Sequence, residues 1–181
     1  NIKLRCLIIY SSIMGVATLS AAWLAQPFFK SIDIPIVYYG VLWASLNITA
    51  GISSVKSYKH EQKYNTPNLL LILGLFMSLC FIIIYFTPNY FGLILIFLIY
   101  YLRGILTPLL KNQININTES NIRATVMSVR SFILRIGFAI TAPILGYLSD
   151  NISINHSFLL LSVLIIILSS ISSVKLKNSF R

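Results

Sequence analysis

Residues 69–86 read LLLILGLFMSLCFIIIYF, eighteen consecutive positions without a charged side chain. At 1.5 Å per residue a helix of that length measures about 27 Å, close to the ~30 Å hydrocarbon thickness of a bilayer. Five more apolar stretches flank it, at 6–29 and 34–55 before it and at 91–110, 124–148 and 157–174 after it. Only Arg103 in the fourth stretch and Arg130 and Arg135 in the fifth interrupt them with charge. The connections between stretches are short and carry turn and helix-end chemistry, as in TPNY and SDNISINH. None is long enough for a separate soluble domain. Strand alternation and Gly-rich tracts are absent, which argues against an outer-membrane barrel. The expected fold is all-α, a single polytopic bundle of six transmembrane helices over residues 1–181.

Composition points the same way. Of the 181 residues 57% are hydrophobic and 10% charged, with a mean hydropathy of +0.84. A soluble domain carries roughly a quarter charged residues, so that class is excluded. The 14 Lys and Arg against 4 Asp and Glu leave a net charge of +10 and a pI near 9.8. With a cytoplasmic N-terminus, the inner side receives Lys3, Arg5, Lys56, Lys59, Lys63, Lys111, Arg123, Lys175, Lys177 and Arg181, and the outer side only Lys30. That asymmetry is the positive-inside signature of an inner-membrane protein with both ends of the chain in the cytoplasm. The charge records topology and is not a nucleic-acid footprint. The first stretch is too long for a signal peptide, and a chain opening on Asn1 instead of Met reads as a fragment or a processed chain. Cys6 and Cys80 lie in apolar surroundings without metal-ligand spacing and read as packing residues.

The six stretches differ in polarity around the helix. The third and sixth are apolar on all sides, as a lipid-facing helix can be. The first carries Ser11, Gly15, Thr18, Ala22 and Gln26 on one face. The second carries Gly40, Asn47, Gly51 and Ser54 with Tyr39 and Trp43 beside them, the fourth Tyr100, Gly104, Thr107 and Lys111, and the fifth Ser128, Ser131, Arg135, Ala139, Ala142 and Gly146. The order is polar, polar, apolar, repeated once. Three spans per unit is odd, so the second unit enters from the opposite side and the bundle is expected to be a 3+3 inverted repeat.

Residues 103–150, RGILTPLLKNQININTESNIRATVMSVRSFILRIGFAITAPILGYLSD, resemble the tenth helix, cytoplasmic loop and eleventh helix of bacterial major facilitator superfamily carriers. The matching parts are RG with a following Pro, SxxRATVxS at the entry to the fifth span, Arg135 before small residues, and PxxGxLSD at its exit. Residues 26–47, QPFFKSIDIPIVYYGVLWASLN, resemble the junction of helices seven and eight. The loop after the second span, SSVKSYKHEQKY, keeps basic residues but lacks the GxxxD(R/K)xG(R/K)(R/K) framework that carriers often repeat there. The resemblance implies the C-terminal half of a twelve-helix secondary transporter. Its partners would be the lipid bilayer, an N-terminal six-helix half, a small-molecule substrate and a coupling ion such as a proton.

Charges inside a membrane are costly and are functional candidates by default. Arg135 lies eleven residues from Ala124 and thirteen from Leu148, about 16 to 20 Å from either end of its span. It reads either as a cavity cation facing an anionic group or as a bridge between helices. Arg130 and Arg103 lie nearer the inner end, within snorkelling reach of water, and read with Glu119 and Arg123 as inner-gate or structural residues. Gln26, Asn47, Trp43 and Tyr100 are substrate-cavity candidates, for which interhelical bonding or packing is the competing account. The spans hold no Asp or Glu, so a proton relay would need an acid from elsewhere. No nucleophile, metal cluster or phosphate loop argues for an enzyme, and no cofactor is expected. A non-transporting six-helix scaffold or assembly subunit is the alternative reading.

Overall fold

In a computed structural model, residues 2–63 and 66–179 are described, with side chains over 2–57 and 67–171. They form α1 (Ile2–Ser31), α2 (Tyr39–Lys63) after one 3-10 turn (Ile36–Tyr38), α3 (Thr66–Phe86), α4 (Tyr90–Ile116), α5 (Arg123–Asn151) and α6 (Ile154–Ser179). There is no strand among the described residues. All six helices are long and apolar enough to cross a membrane, which is the pattern of a multi-pass membrane protein. The side chains of Lys59, His60, Glu61, Lys63, Lys175, Lys177 and Arg181 lie outside the described residues.

Local chemistry explains where the helices stop. α1 ends with Asp33 in the left-handed region at φ 58°. The amide of Ile34 donates to Phe29 O at 3.0 Å, and that of Asp33 to Lys30 O at 3.1 Å. This is the paired-bond C-cap usually built on Gly, which a short polar side chain tolerates. Pro35 then restarts the chain in the 3-10 turn. α4 starts at Asn89, whose side chain accepts from the Phe91 amide at 2.9 Å as an N-cap. Most helices run past their apolar stretches, α2 to Lys63 and α4 to Ile116, because polar and basic residues continue a helix at a cost below about 1 kcal/mol each once it leaves hydrocarbon.

Packing arranges the helices in two layers. α2, α4, α1 and α5 lie side by side in that order, and α3 and α6, packed extensively on each other, back α4 and α1. Phe158 of α6 stacks on Phe81 of α3 and meets Phe28 of α1 edge-on. The Tyr10 hydroxyl of α1 donates to Leu70 O of α3 at 2.6 Å. Cys6 and Cys80 are both buried in this interior. Lipid tails are as apolar as leucine, so close approach rather than hydrophobicity selects which helices touch. Gly15 lets α5 come in against α1 through Leu134, and Gly104 lets α2 come in against α4 at Ala50 and Ser53.

The end helices of the row are the exposed ones. Only 11% of the α2 span and 6% of the α5 span is buried, against 61% for α1 and 56% for α4. Each of α2 and α5 presents two open faces. On α5, Val129, Ile133, Ile136, Ile140, Ile144 and Tyr147 form an aliphatic stripe, while Ser128, Ser131, Arg135 and Ala139 form a polar one. On α2 the corresponding sets are Val41, Ile48, Ile52 and Val55, and Gly40, Asn47 and Gly51. The polar stripes of α1 and α4 are largely covered, with Gln26 and Lys111 open toward their ends. Ser11, Thr18, Ala22, Tyr100 and Gly104 are buried, because those faces are the seats on which α5 and α2 pack.

Candidate functional site

Arg135 stands twelve residues from the start of α5 and sixteen from its end, about 18 and 24 Å along the axis. Its side chain is exposed and forms no ion pair or hydrogen bond with any described residue. It lines an open recess of 410 Å³ with Met127, Ser128, Ser131 and Phe132. An arginine left in lipid at the centre of a helix costs at least ~2.5–3.5 kcal/mol. The face that carries Arg135 is therefore suited to water or further protein, and the aliphatic face of the same helix to acyl chains.

Arg130 behaves differently, although it is only five residues away. It is buried, and its Nε donates to Ser11 Oγ of α1. Ser12 Oγ donates back to Arg130 O at 3.2 Å. The snorkelling expected from its depth does not occur, because the side chain projects into the α1 seat instead of along the helix toward water. Losing the acceptor should hurt more than losing the cation. Ser11→Ala is expected to cost about 1.5–3 kcal/mol, the worth of a hydrogen bond to a charged group. Adding Arg130→Met should recover most of that, since no buried charge is then left without an acceptor. The midpoint of unfolding in detergent for the single and double variants measures both.

The other candidates separate in the same way. Arg103 lies over the Tyr100 ring, with its guanidinium carbon 5.4 Å from the centroid, and forms no ion pair with Glu119. Tyr100 meets Trp43 of α2 edge-on at 6.4 Å and is 1% exposed, so it packs between α2 and α4. Asn47 is exposed on the polar stripe of α2, with its amide donating to Trp43 O at 2.8 Å. Glu119 is exposed in the turn before α5, where Arg123 Nη2 donates to Thr118 O at 3.5 Å. Gln26 is exposed at the far end of α1 from the termini and lines an open cavity of 1040 Å³ there.

That cavity holds two residues which sequence reasoning passed over, Lys30 and Asp150. Both lie one residue short of a helix end, on α1 and α5. α1 and α5 run parallel, as the contacts Ser11 with Arg130 and Val16 with Gly137 show, so their two ends come to one place. A pairing of helices that far apart in the chain leaves no local signal in the sequence.

No protein-family model matches the chain, and comparison with characterised proteins and with solved structures finds no match.

Proposed function

We propose that the protein is the C-terminal six-helix half of a secondary transporter of the major facilitator type. It moves a small solute across the cytoplasmic membrane by alternating access, with both ends of the described chain on the cytoplasmic side. The observation that carries the reading is Arg135, an unpaired mid-helix cation on an open polar stripe beside a separate aliphatic one. A helix with two such faces lies at a boundary between lipid and a wet or protein-covered surface. α2 presents the same pair of faces at the other end of the row.

The packing supports an inverted repeat of three helices. Exchanging α1 with α4, α2 with α5 and α3 with α6 carries the α2–α4 contact onto α5–α1 and α3–α4 onto α6–α1, and leaves α1–α4 and α3–α6 in place, while the smaller α5–α6 contact has no counterpart of like extent between α2 and α3 among the described residues. The exchange also pairs Gly15 near the middle of α1 with Gly104 near the middle of α4, each the point where an end helix presses in. Carriers built from such repeats rock one bundle against another around a site near the midplane. An N-terminal bundle facing the row would enclose the polar stripes of α2 and α5. A coupling proton would need an acid from that bundle.

Single cysteines in the full-length protein in sealed vesicles test this, and the burial of Cys6 and Cys80 keeps the background low. Cysteines replacing Asn47, Ser131 and Ala139 should react with a membrane-impermeant maleimide, while those replacing Ile48 and Ile136 stay unmodified. Equal protection of both sets would mean that the polar stripes only pack, as in a scaffold subunit.

A further inference from the structure

The cavity holding Lys30 and Asp150 continues into a cleft of 210 Å³ between α1 and α5, the two spaces sharing Pro27, Ser149 and Asp150. The two charged side chains line one cavity yet form no ion pair with each other. An ammonium and a carboxylate held apart in one space match a ligand that carries both charges in the opposite order. The cleft beyond them is apolar, between Leu24 of α1 and Leu145 of α5. Trp23 and Phe138 flank it, with ring centroids 6.2 Å apart and planes tilted by 37°. It is smaller than the ~300–1,000 Å³ of a site for a drug-sized molecule, and it accepts a single ring.

Ser20 is one of its lining residues. Its hydroxyl is buried and has no hydrogen-bond partner. Ser12 and Thr18 on the same helix instead donate to Ile8 O and Gly15 O. Buried polar groups without partners are uncommon and call for a reason. Ser20 and Lys30 are ten residues apart on α1, about 15 Å along the axis. The long lysine side chain shortens that span toward the reach of one amino acid.

We propose that this cleft binds an amino-acid zwitterion with a hydroxyl-bearing aromatic side chain. Its carboxylate meets Lys30, its ammonium meets Asp150, and its ring enters beside Trp23 and Phe138. Its hydroxyl pairs with Ser20 after rotation of the serine about χ1. The inference deepens the carrier reading and rests on it for passage of the solute, though not for its binding. A phosphatidylethanolamine headgroup offers the same juxtaposed charges on an apolar body, so the test includes that lipid.

The probe is radiolabelled L-tyrosine on the purified full-length protein in phosphatidylcholine nanodiscs. Saturable binding is expected, with L-phenylalanine about three- to tenfold weaker, the worth of one neutral hydrogen bond. Ser20→Ala should abolish that difference while leaving phenylalanine affinity unchanged, which also shows that the variant folds. Asp150→Asn and Lys30→Gln should each weaken both ligands about tenfold or more, as expected for charge-assisted contacts. Absence of saturable binding, a tyrosine preference that survives Ser20→Ala, or loss of binding when phosphatidylethanolamine is added would each overturn the proposal. Binding without flux in vesicles would keep this site and refute the carrier reading. Flux of another solute without tyrosine binding would refute the site alone.

Discussion

Replacing Arg135 with Gln in the full-length protein is expected to lower solute flux in proteoliposomes about 10- to 100-fold, with normal expression and insertion. The magnitude is the ~1.5–3 kcal/mol of one charge-assisted hydrogen bond, at about 1.4 kcal/mol per decade. Normal insertion follows from the open polar stripe, because Arg135 holds no ion pair or hydrogen bond in the bundle whose loss would unfold it. Gln keeps donor character on a shorter side chain and removes the charge, so the charge effect is read by comparison with a variant that keeps the cation. Arg135→Lys should retain part of the flux, since a point charge replaces a forked donor. Arg130→Gln is the contrasting case. Its buried contact to Ser11 makes that substitution a stability defect, read in yield and unfolding midpoint. Unchanged flux in Arg135→Gln would leave Arg135 with a structural role at most, and the midplane site would have to be sought elsewhere.

The contrast between these two arginines marks how far the sequence could be read. Spans of about twenty apolar residues are a one-dimensional signal, so the number and rough position of the helices followed from patterns such as residues 69–86. Depth along a helix is also one-dimensional, and it placed Arg135 near mid-span. Which way a side chain faces is not. Depth alone puts Arg130 within snorkelling reach of water, yet its azimuth on α5 points it into α1. The stripes on α1 and α4 look like those on α2 and α5 in composition. Small and polar residues serve both a helix seat and a wet face, so only the order of helices in the row tells which stripes are covered. Lys30 and Asp150 were separate loop-side charges until the parallel pairing of α1 and α5 brought them to one cavity.

Gly104 is where the same packing logic makes its strongest stability claim. A methyl group there would fall inside van der Waals contact of both the Ala50 carbonyl oxygen and Ser53 Oγ. Serine can rotate away, but a carbonyl in mid-helix moves only if α2 moves. Gly104→Ala is therefore expected to destabilise the protein by about 1–3 kcal/mol, the usual range for overpacking. Gly104→Leu should leave little folded protein. Gly15→Ala should be milder, because the group it meets is the flexible end of the Leu134 side chain. Gly51→Ala has nothing within 4 Å and removes backbone freedom from the unfolded chain, so it should stabilise by about 0.4–1 kcal/mol. Unfolding midpoints of the variants in detergent give the order directly. A Gly104→Ala protein as stable as the parent would mean that α2 is not seated on α4 at this point. The exchange of α1 with α4 would then lose its closest pair of equivalent contacts, and with it much of the case for two inverted units of three helices.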